Sequence, residues 1–111
     1  MSDWYPFKSG DSIGQAGSEG GKILCDEEHA DGARVTLEHV RDSRFTVTGG
    51  IYGWLVHTRF FNSEPTARIG FDETEDELSK ILALIPIENE ADDDKLELAK
   101  VAIADFVERC E

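Results

Sequence analysis

Residues 45–61 read Phe-Thr-Val-Thr-Gly-Gly-Ile-Tyr-Gly-Trp-Leu-Val-His-Thr-Arg-Phe-Phe without one acidic residue, in a chain whose formal net charge is −13. β-Branched and aromatic side chains suit a pleated, half-buried surface, so this stretch is expected to be the organising strand of the fold. Gly49, Gly50 and Gly53 inside it predict a bulge or a tight backbone approach.

The segments before it supply two shorter strands. Lys22 to His29 forms the first, and the Asp31-Gly32 pair predicts a tight hairpin because both central turn positions need positive φ. Arg34 to Val40 alternates polar and apolar residues and forms the second. After residue 62 the period changes. Ser63 is an N-cap candidate with Pro65 tolerated in the first turn. Ala67, Phe71, Leu78, Ile81, Leu82 and Ile85 then recur at helical spacing up to Pro86, although Gly70 weakens the first half and places an alternative start near Asp72. Leu96, Ala99, Ile103, Phe106, Val107 and Cys110 line one side of a second helix over residues 92–109, with Asp92, Asp93 and Asp94 at its positive end. The expected fold is α+β: a three-stranded antiparallel meander followed by two helices packed on one face (β-β-β-α-α). Residues 1–21, aromatic at first and then rich in Gly and Ser, form a separate N-terminal segment before a single domain over 22–111. Trp4, Tyr5 and Phe7 are expected to pack onto that domain.

Register follows from the alternation. Val35, Leu37, Val47, Ile51 and Leu55 share the face on which the helices pack, because a slip of one residue would expose one set. The opposite face then carries Arg34, Thr36, Glu38, Thr46, Thr48, Tyr52 and Trp54. Pairing through Asp31-Gly32 adds His29 opposite Arg34 and Glu27 opposite Thr36. It also turns Asp26 and Glu28 inward, a conflict that a bulge or a short edge strand would relieve. Aromatic residues beside arginine on a polar surface are characteristic interface anchors, so Arg34, Glu38, Tyr52, Trp54 and His29 are the candidate partner-binding residues.

Charge narrows the partners. The chain holds 24 acidic and 11 basic residues, and residues 72–111 alone carry 14 acids against 4 bases. Nucleic acid needs clustered Lys and Arg, so it is excluded as a direct ligand. No apolar run approaches a membrane span, and the start of the sequence has no secretory pattern, so a cytoplasmic protein is expected. Two distant cysteines, Cys25 and Cys110, predict free thiols.

Motifs for chemistry are weak. The stretch ending Gly20-Gly21-Lys22-Ile23 fails the phosphate-loop pattern at Ala16 and Ile23, and Gly49-Gly50-Ile51-Tyr52-Gly53 lacks dinucleotide spacing. Alternation puts Cys25 and His29 on one face and His39 and His57 on the other, so neither a metal nor another cofactor is expected. The reading is of a small acidic interaction module, a monomer or homodimer, that binds a protein partner with a basic surface. An inhibitor- or immunity-type protein is its narrower form. The alternative is a small-ligand-binding domain or small enzyme. Its concave pocket would lie between the glycine-containing strand and the covering segment, with His57, Arg59 and Arg34 as polar contacts.

Overall fold

A computed structural model describes residues 3–84 and 93–109. Five antiparallel strands lie in chain order, β1 (Trp4–Pro6), β2 (Lys22–His29), β3 (Ala33–Arg41), β4 (Arg44–Ile51) and β5 (Leu55–Phe61). Two helices follow, α1 (Glu64–Leu82) and α2 (Asp93–Arg109). The α+β class is as expected, but the meander has five strands rather than three. The long third strand is in fact a hairpin. Gly53, at φ +82°, occupies the third position of a turn closed by the Trp54 amide donating to the Ile51 carbonyl at 2.9 Å. That position demands positive φ, which glycine adopts without a Cβ clash. The fifth strand comes from the N-terminal segment, whose Trp4 pairs with His29.

Val35, Leu37, Val47 and Ile51 are buried on one face together with Ala67, Phe71, Leu78 and Ile81 of α1, and Leu55 packs against them. This is the face the alternation assigned to the helices. Phe106 of α2 completes the core, with Ala102, Ile103 and Val107 around it. The Arg109 guanidinium bonds Glu77 Oε2 at 2.9 Å and so ties α2 to α1. Pro86, Ile85, Cys110, the side chain of Leu96 and the capping role of Asp92, Asp93 and Asp94 lie outside the described residues.

Helix α1 starts at Glu64, directly after the Ser63 cap, whose Oγ accepts the Thr66 amide. Gly70 does not delay it. Its Cα is buried against the ring of Phe61, and a Cβ there would lie 2.2 Å from Phe61 Cζ, so the weak helix former is retained for a close approach.

The β2–β3 register differs from expectation by one residue. His29 pairs with Ala33, Glu28 with Arg34 and Asp26 with Thr36, because the turn has three residues and Gly32 takes φ +103° as its last member. The slip resolves the conflict: Asp26 and Glu28 move to the face opposite the helices. His29 moves the other way. It is 5% exposed, edge-on to Trp4 at 5.1 Å, and is not part of the open face. A bulge at Leu24 then lets Ile23 pair with Glu38.

One acid on the helix side titrates far from its normal range. Burial, and then the carboxyl of Glu27 facing it, push Glu75 from 4.5 up to about 9. Between those values the folded chain holds a proton that the unfolded chain has released, so stability falls as pH rises through this window. Glu75→Gln should therefore raise the melting temperature at pH 8 and leave it unchanged at pH 4, as measured by calorimetry at both values.

Candidate functional site

The open face is organised in rows that run across the sheet. Register aligns Glu28, Arg34, Gly50 and Val56 in one row, and Asp26, Thr36, Thr48 and Thr58 in the next. Gly50 contributes no side chain between Arg34 and Val56, and this opens a depression in the sheet surface. The result is a cleft of about 610 Å³. Its floor is Thr36, Thr48 and Gly50. Tyr52, Gly53 and Trp54 wall one end, and Gly17 and Ser18 wall the other. The lining is mainly apolar, with hydroxyls interspersed, and a volume of this size is ordinary for a ligand site.

Two buried acids build the polar side. Asp26 is 2% exposed and takes both the Nε of Arg34 at 2.9 Å and its Nη2 at 2.6 Å, while Thr36 Oγ1 donates to Asp26 Oδ1 at 3.2 Å. The other side of the Arg34 guanidinium lies over the Phe7 ring at 3.6 Å. This bidentate pair raises the Arg34 pKa and fixes the side chain as a wall rather than a mobile anchor. Glu38 is fully buried, and its carboxylate accepts the amides of Gly21 and Glu19. Gly17 lies flush against that carboxylate, where a Cβ would come within 2.3 Å. Burial raises the Glu38 pKa and the two amides oppose the rise. Glu38 thus fastens the Gly-rich loop over the sheet, and it is not itself available to a partner.

The aromatic end is held differently. The Tyr52 hydroxyl donates to Glu28 Oε2 at 2.7 Å, and Tyr5 donates to Glu28 Oε1 at 3.1 Å. Burial and this carboxylate push the Tyr52 phenol up to about 12. The Tyr52 amide donates to the Gly32 carbonyl, so the two hairpin turns brace each other. Tyr52 remains 56% exposed and Trp54 37%. Beyond them on the same face, Val56 and Phe60 are 80% and 76% exposed.

Of the residues expected at a partner surface, Tyr52 and Trp54 are accessible, Arg34 lines the cleft in an internal pair, and Glu38 and His29 are buried. The cleft lies between the glycine-containing strand and the Gly-rich loop, and neither His57 nor Arg59 lines it. Both residues point to the helix face. His57 is edge-on to Phe106 at 5.7 Å, and Arg59 donates to Gly70 O and Thr74 Oγ1 of α1. Cys25, His29 and His39 face the helix side as well, with His39 stacked on Phe45. Among the described residues no three His, Cys, Asp or Glu side chains gather as a metal site. Burial raises the Cys25 thiol pKa despite the adjacent Arg68, which is the wrong direction for a nucleophile.

Gly50, Val56 and Ser18 were not anticipated as site residues. Gly50 was visible as a residue out of place in a strand, but its role depends on which side chains flank it. Among the described residues no helix is long and apolar enough to cross a membrane. No family model matches the chain, and no curated protein or solved structure matches it either.

Proposed function

We propose that this protein is a binding module whose open sheet face receives a basic protein partner. The observation that carries the reading is the continuity of the cleft, walled by Tyr52 and Trp54, with the exposed side chains of Val56 and Phe60. Together they form an apolar strip on a chain of net charge −13. An aromatic and aliphatic patch inside an acidic surface suits a partner that is apolar at the contact and basic around it. The long-range field speeds encounter, and the desolvated centre supplies most of the affinity. An inhibitor- or immunity-type protein is one form of such a module.

Trp54→Ala is the test. Trp54 sits in a turn and is partly exposed, so its loss should leave the melting temperature nearly unchanged. Pull-down from cell lysate with the native chain should recover a basic protein at low salt and lose it at high salt. The Trp54→Ala chain should recover at least about tenfold less, as for removal of an interface anchor. Equal recovery by both chains would reject the open face as the binding surface.

A second reading has its own support in the cleft volume and its apolar lining: a small, mainly apolar ligand held over Gly50. A metabolite library that raises the melting temperature of the native chain but not of Trp54→Ala would favour it over the protein partner.

A further inference from the structure

The two edges of the sheet are unlike. β1 has three residues and ends in Pro6, which has no amide to donate, so that edge is blunted. β5 has seven residues, Leu55–Phe61, with no proline, lysine or acid among them. It is the last strand of the sheet, and among the described residues no backbone hydrogen bond outside its pairing with β4 reaches it. Its two cationic or titratable residues are turned away from the open side. Arg59 is bonded to α1, and His57 is packed on Phe106 of α2. On the open side Val56 and Phe60 stand exposed on either side of Thr58. Natural proteins blunt an edge of this length and apolarity with charge, proline or a covering element unless it has a partner.

We infer that β5 is a strand-addition site for an extended basic segment. The segment pairs with the β5 backbone as a sixth strand. Its apolar residues lie beside Val56 and Phe60, and its Lys or Arg residues face the helix side. Backbone pairing supplies affinity, and the alternate side chains supply specificity. Charge decides the occupant. Residues 72–111, which hold all of α2 and the C-terminal part of α1, carry 14 acids and 4 bases, so a basic segment is favoured by the charge of the chain. A second copy of this chain would set −13 against −13 across the same edge. The assignment rests on the open-face reading above and adds to it the backbone edge and the chemistry of the segment.

The test is an amide-shift and hydrogen-exchange titration of the full chain at low salt, using a synthetic peptide of alternating valine and lysine. The expected result is slowed exchange at alternate β5 amides, with shifts spreading to Trp54 and Thr48. The double variant V56K/F60K, changed only at exposed side chains, should weaken the peptide by about tenfold or more. A valine–glutamate peptide should not bind. Shifts limited to Arg34, Thr48 and Trp54 and unaffected by V56K/F60K would overturn the edge assignment and leave the cleft reading standing. Shifts confined to the helices, or none, would remove both. Equal binding of the glutamate peptide would overturn the charge argument. β5 protection that grows with protein concentration in the absence of peptide would put a second copy there instead.

Discussion

Gly49→Val should cost this protein about 3 kcal/mol, the upper end of the usual range for overpacking a close-packed core. Gly49 is buried on the helix side of β4, and α1 lies directly on its Cα. A Cβ added there would meet Thr74 Cγ2 at 2.6 Å, Leu78 Cδ1 at 3.3 Å and Val35 Cγ2 at 3.9 Å. Thr74 and Leu78 are both essentially unexposed, so neither can swing into solvent. The helix must lift, and the contacts of Phe71 and Ile81 with the sheet loosen with it. Chemical denaturation should show a lower midpoint with the slope retained. An unchanged midpoint would mean that α1 does not rest on β4 as described.

Arg34→Ala should be the second most damaging change, at about 2–3 kcal/mol near pH 7. Removing one member of a buried ion pair leaves the other charged and uncompensated, and the usual cost is reduced here because Arg34 is itself one-third exposed. Asp26 would keep only the Thr36 hydroxyl as a donor among the bonds described. Asp26→Asn in the Arg34→Ala background should recover part of the loss. Denaturation at pH 7 with the single and double variants checks both statements. No recovery in the double variant would indicate lost packing against Phe7 rather than an orphaned carboxylate.

These two residues also show what could be read in advance. Arg34 and its neighbours up to Val40 alternate cleanly, as do Phe45 to Thr48, so the face they share with the helices followed from period alone. β2 offers no such guide. Asp26, Glu27, Glu28 and His29 are all polar, and register there depended wholly on the turn. Asp31-Gly32 suggested a two-residue turn, whereas the chain uses three, and one residue of slip moved His29 inward and Asp26 outward. The β4–β5 hairpin was hidden for a different reason. Its turn, Tyr52-Gly53-Trp54, lacks Asn, Asp and Pro, and its aromatics mimic a strand. Gly53 was the only cue. The turn pairs Ile51 with Leu55 and so preserves the alternation, which keeps His57 and Arg59 on the helix face. They failed as pocket contacts because the pocket lies on the opposite face. The cleft itself was unreadable residue by residue. It exists because Gly50 happens to pair between Arg34 and Val56, and that is a property of three strands together.

The central claim is that the open sheet face, rather than the acidic helices, meets the partner. It is tested most directly by comparing backbone amide shifts of the isotope-labelled chain with and without fractionated cell lysate, at matched pH and low salt. Shifts clustered at residues 34–38, 46–54 and along β5 are the expected result. Shifts confined to α1 and α2, with Thr48, Tyr52 and Trp54 unmoved, would contradict it.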